Sequence, residues 1–126
     1  MRPAIPYGYP MSSHDIHLIL ALVLCLIFLL SGLMKASGNE KGLAGTRAVN
    51  VPDGLGRFTG ALEALGALGI LIGFKLSLFA WLGFVGLWMI MAGAIFFHFR
   101  AKKTKSAIVP FILLVLLSVA IITISA

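Results

Sequence analysis

Four long apolar stretches govern what this chain can become. They cover about residues 16–34, 58–74, 76–97 and 107–124. Each reaches the roughly 17–25 helical residues that cross a hydrocarbon core of about 30 Å. Inside lipid no water is available to backbone N–H and C=O groups, so a spanning segment closes its own hydrogen bonds as a helix. Charged side chains make up only 11% of the 126 residues and hydrophobic ones 60%, against about 25% charged in a soluble domain. The pattern predicts an all-α membrane fold: a single domain over 1–126, a bundle of four transmembrane helices at about 16–35, 57–74, 76–98 and 107–125. The first stretch exceeds the roughly 7–15 apolar residues of a signal peptide, and Lys35-Ala-Ser-Gly38 is a poor cleavage site, so it reads as a helix that is kept.

The segments between the helices differ in kind. Residues 36–56 are polar and glycine-rich, with a turn signal at Pro52-Asp-Gly54, and a connection this long is expected to be partly ordered on the membrane surface. Phe74-Lys75-Leu76-Ser77 reads as a tight hairpin, and Arg100-Ala-Lys-Lys-Thr-Lys105 as a short basic loop. Pro110 falls in the first turn of the last helix, where proline is tolerated. Lys35, Lys41, Arg47, Arg57, Arg100, Lys102, Lys103 and Lys105 lie on one side of the membrane, and Arg2 and Lys75 on the other. The positive-inside rule then places the basic side in the cytoplasm and both termini outside, in a multi-pass protein of the cell inner membrane.

The net charge of +6 is distributed between apolar runs. These cations determine topology and meet lipid headgroups, and they form no face that could track nucleic acid. The lone cysteine, Cys25, sits within the first helix as a small packed hydrophobe. One cysteine makes no intrachain disulfide and no CxxC pair. The histidines fall at opposite membrane faces, His14 and His17 on one and His98 on the other, some 25–30 Å apart, so no metal site and no bis-histidine haem is assigned. No phosphate-binding glycine motif or nucleophile elbow occurs, and no catalytic residue is assigned.

Glu63 is the only acidic residue within a long apolar run. A carboxylate there costs about 2.5–3.5 kcal/mol on insertion scales and calls for a partner or a task. Lys35 closes the first helix and Arg57 opens the second, at the two ends of one loop, so both lie on the cytoplasmic edge. Glu63 lies six residues beyond Arg57, roughly 9 Å deeper. Lys35 is its simplest partner, with Arg57 capping the cluster from above. Ser31 stands one turn before Lys35 on the same helical face, and Leu24 and Phe28 continue that stripe into apolar territory. A pocket there would have an apolar floor and a charged mouth, suited to a quinone or a lipid. Three roles stay open for the cluster: a buried ion pair that fixes helix register, a ligand or proton-relay site, and a partner-docking feature. Gly60, Gly66, Gly69 and Gly73 make the second helix small on one side, and the Gly69-xxx-Gly73 spacing permits close helix approach. Packing within the bundle and association into a homo-oligomer both fit that spacing.

Phe28-Leu-Leu-Ser-Gly-Leu-Met-Lys35, then Val51-Pro52, then Arg57-Phe-Thr-Gly60-Ala-Leu-Glu63-Ala-Leu-Gly66 resembles the DoxX-like family of small membrane proteins. That family's pattern is serine-glycine and lysine at the end of helix one, then arginine, glycine and glutamate opening helix two. The resemblance implies a compact bundle of four transmembrane helices. Some relatives are associated with quinone-linked sulfur oxidation, others with membrane oxidoreductase or stress complexes. The family's charged positions fall on Lys35, Arg57 and Glu63, and Ser31 and Gly32 match its helix-one ending.

These readings converge on a membrane subunit of a redox system. It would bind a quinone or lipid near Lys35 and Glu63, hold no cofactor of its own, and rely on a membrane partner for any redox group. The alternative is a non-enzymatic assembly or accessory subunit docking through the small face of helix two. A small transporter is the third reading.

Overall fold

The computed structural model describes residues 12–124, all of whose regular structure is helical. Five helices follow in order: α1 (Ser13–Ala36), α2 (Glu40–Ala48), α3 (Asp53–Ile72), α4 (Ser77–Arg100) and α5 (Ile108–Thr123). Arg2, counted above on the outer side, and Ser125, the expected end of the last helix, lie outside the described residues.

Local chemistry sets the helix ends. Ser12 and Asp15 form a capping box at the start of α1, each side chain accepting the other's backbone N–H at 3.2 Å. After α1 the chain reverses through Gly38 at φ 78°, a left-handed position where a Cβ would be strained. Asn39 then caps α2, its Oδ1 accepting from the backbone N–H of Lys41 and Gly42. Residues 36–56, expected to be partly ordered, thus hold a nine-residue helix. The turn sits earlier than Pro52-Asp-Gly54 suggested. Asn50 takes the left-handed backbone at φ 63°, Pro52 is the N-cap residue of α3, and Asp53 and Gly54 are already helical. Proline just before the first helical residue and an acid in the first turn both suit a helix start.

α1, α3 and α4 are long and apolar enough to cross a membrane. α5 is shorter, 16 residues or about 24 Å of helix, and begins at Ile108 after a connection made mostly of turns over residues 101–107. Of the four expected spans, three are helices long and apolar enough to cross a membrane, and the fourth coincides with a shorter apolar helix. Large apolar side chains point outward along all four: Leu26, Leu65, Met89 and Ile122 are each at least 60% exposed. Water would not tolerate this surface, and lipid is its natural solvent.

The four apolar helices pack cyclically, α1 against α3 and α5, and α4 against α3 and α5. Leu24, Phe28, Ile70, Phe84, Leu87 and Leu117 fill the centre. α5 is fastened on both sides: Trp88 Nε1 donates to Ser118 Oγ at 3.0 Å, and His17 Nδ1 bonds the Ala120 carbonyl at 3.0 Å. α2 touches only α1 and α3. It covers one end of the helices and buries Leu43.

Candidate functional site

Two glycines bring α1 and α3 into backbone contact. A Cβ on Gly32 would stand 2.5 Å from both the Ala64 nitrogen and the Gly60 oxygen, and one on Gly60 would collide with Lys35 Cβ. With no side chains between them, the helices close and Glu63, one turn beyond Gly60, turns into the interface. Glu63 is 1% exposed. Lys35 Nζ donates to its Oε1 at 2.7 Å and Ser31 Oγ donates to its Oε2 at 2.9 Å. Both carboxylate oxygens are thus engaged by one face of α1, as the Ser31–Lys35 spacing implied.

Arg57 goes elsewhere. Its Nε donates at 3.0 Å to the carbonyl of Ala36, an orphan acceptor at the end of α1. Six residues at 100° each put Arg57 roughly 120° around α3 from Glu63. The structure therefore joins Ser31, Lys35 and Glu63, and sets Arg57 apart as a cap on α1 rather than on the carboxylate.

Beside this pair opens a cavity of about 500 Å³, reached by all five helices. Ile27, Phe28, Ile90 and Leu113 close its deep end, while Lys35 and Glu63 give one wall its charge. Thr46, Val49 and Val51 of the α2 segment lie across it. Thr59 of α3, His98 of α4 and Ser106 of the α4–α5 loop complete the polar lining. Thr59 was within reach of sequence reasoning, since it precedes Glu63 by one turn on the same face. His98, placed by the sequence only at one membrane face, also lines the cavity wall. No sequence signal marks Ser106 or the α2 residues, which reach the cavity through loop geometry.

α2 is tied down by charge. Arg47 Nε and Nη2 bond the two carboxylate oxygens of Asp53 at 2.9 and 2.8 Å, and Nη1 bonds Glu40 at 2.7 Å. The hydrogen bonds to Asp53, then Glu40, hold the Arg47 guanidinium above its ordinary value, so it stays charged throughout the accessible pH range. The helix-packing glycines each meet a neighbour within the chain. Gly66 faces Leu87, Gly69 faces the Phe79 carbonyl and Gly83, and Gly73 faces Ala80.

These features define a class: a small all-helical membrane protein with a buried glutamate paired to a half-buried lysine on the wall of an end cavity. The chain belongs to the DoxX-like family, whose model matches residues 19–120. The match takes in every residue of the pair and the cavity. No curated protein and no solved structure matches the chain.

Proposed function

We propose that the chain is a four-span protein of the cell inner membrane, with α5 as its fourth span, and that its cavity binds an amphipathic molecule, a quinone or a lipid. In this reading it serves as the membrane subunit of a redox system whose electron carrier resides on a partner. One observation carries the reading: a cavity of about 500 Å³ with mostly apolar lining meets the Lys35–Glu63 pair. Pockets of roughly 300–1,000 Å³ with a few placed polar groups are the usual form of a small-molecule site. The α3 small-residue face, the anchor of the docking alternative, is turned to α4 at Gly66, Gly69 and Gly73.

Gly93 supplies the test. It lines the cavity, and a Cβ built there meets nothing within 4 Å. Gly93→Leu should fill the cavity without disturbing the helices. The expected result is an unchanged melting temperature with at least a tenfold loss of binding to a decyl-quinone or short-chain lipid probe, about 1.4 kcal/mol or more. Unchanged binding in the folded variant would remove the cavity from consideration.

A further inference from the structure

The side chains around the cavity supply donors and acceptors unequally. Ser31 Oγ bonds Glu63 Oε2 at 2.9 Å, Thr46 Oγ1 bonds the Leu43 carbonyl at 3.0 Å, Thr59 Oγ1 the Gly56 carbonyl at 2.9 Å, and Ser106 Oγ the Lys103 carbonyl at 2.9 Å. Every partner is an oxygen with no proton to give, so each hydroxyl is the donor and its single O–H is spent. What these hydroxyls have left is lone pairs.

His98 follows the same logic. Its Nδ1 lies 2.7 Å from the Ala94 carbonyl, which can only accept. Nδ1 therefore carries a proton, and in the neutral imidazole form Nε2 is the acceptor. Glu63 is an acceptor on both oxygens. Lys35 is the exception. Its ammonium has three N–H groups, and its one hydrogen bond goes to Glu63 Oε1. The free donors of the lining side chains are thus concentrated at Lys35, and acceptors stand on all the other polar ones.

We infer that the cavity takes an amphiphile whose head carries hydroxyl donors, and discriminates against the same molecule without them. The inference rests on the cavity being the binding site and names the chemistry that site selects. A donor-free head, such as a quinone's two carbonyls, finds a partner only at Lys35 and sets its remaining lone pairs against those of the wall. Polar groups left unpaired in an apolar cavity are costly. A head with two hydroxyls accepts from Lys35 and donates to Glu63, His98 or the threonines. Sites that hydrogen-bond a substrate hydroxyl reject analogues lacking it far more strongly than apolar pockets reject a missing methylene. An aromatic diol and a glycerol head share this chemistry.

Equilibrium dialysis of the detergent-solubilised chain tests it with two probe pairs, corrected for partition into protein-free micelles. Decylhydroquinone is compared with decylbenzoquinone, and 1-decanoylglycerol with propyl decanoate. The hydroxylated member of at least one pair should bind about tenfold tighter or more, roughly the value of one added charge-assisted or neutral hydrogen bond in a desolvated site. The pair that shows this identifies an aromatic or a glycerol head. In the Thr46→Val, Thr59→Val double variant, which removes two acceptors, the preference should fall severalfold. If both members of each pair bind equally, or the preference survives the double variant unchanged, the inference is overturned while the cavity stands. If no probe binds, or Gly93→Leu leaves binding intact, the cavity reading fails and the inference falls with it.

Discussion

Glu63 sits where a carboxylate is expensive, and both its oxygens are answered from α1. That much was legible in the sequence: a single acid in an apolar run, with a lysine and a serine one turn apart at the end of the preceding helix. The error lay with Arg57, where proximity along the chain was read as proximity in space although the helical angle turns it away. A pair with one partner this buried behaves asymmetrically when mutated. Glu63→Ala leaves the Lys35 ammonium without its partner at the cavity wall; removing one partner of a fully buried pair costs about 3–5 kcal/mol, and Lys35, 20% exposed, places this variant at or below the lower end of that range. Replacing both, as Lys35→Met with Glu63→Leu, removes the desolvated charges together and should cost clearly less than Glu63→Ala alone. Reversible unfolding in mixed detergent micelles would measure all three. A double variant as unstable as the sum of its single variants would show that the two side chains do not act as a pair.

At the scale of elements, glycine decides which helices touch and how closely. The Gly69-xxx-Gly73 spacing was visible in the sequence, but spacing alone does not say which neighbour it receives, and here it receives α4. The contact that builds the site is between Gly32 and Gly60, which lie on different helices and therefore make no motif within either one. Gly32→Ala would drive a methyl into the backbone of Ala64 and Gly60, and backbone cannot give way as a flexible side chain does. It should destabilise by about 1–3 kcal/mol, the usual range for overpacking, and loosen the Ser31 and Lys35 bonds to Glu63. Gly86→Ala is the control, since nothing lies within 4 Å of its Cβ. It should be neutral or raise stability by up to about 1 kcal/mol through helix propensity. Equal melting temperatures for the two variants would mean that α1 and α3 are not held at backbone contact. α2 escaped the sequence reading for a different reason. It is nine residues long with four of them glycine or alanine, too short and too small-faced to show an apolar stripe, and it is positioned by Asn39, the Arg47 ion pairs and the burial of one large side chain, Leu43.

For the whole molecule, charge separates the two ends. At the α2 end the structure pairs Lys35 with Glu63, and Arg47 with Glu40 and Asp53. Among the described residues, Lys41, Arg57, Arg100, Lys102, Lys103 and Lys105 form no ion pair there. The Arg47 bridges are exposed, and exposed pairs contribute only about 0–1 kcal/mol each, so they govern how α2 lies over the cavity more than whether the protein folds. Arg47→Gln should leave the melting temperature nearly unchanged yet speed hydrogen exchange of the α2 amides and dissociation of a cavity-bound probe. Unaltered α2 exchange in that variant would mean that packing of Leu43 alone keeps the helix down. In the proposed four-span topology the excess of cations at this end would set the orientation, because lysine and arginine in short loops are retained on the cytoplasmic side. The cavity would then open toward the cytoplasm, where a soluble or peripheral partner could reach a bound head. In a Cys25→Ser background, Lys103→Cys should react with a membrane-impermeant maleimide only after the cells are permeabilised, whereas Lys75→Cys should react in intact cells. The opposite pattern would turn the molecule over and place the cavity on the extracytoplasmic side, and any redox partner would then have to be sought there.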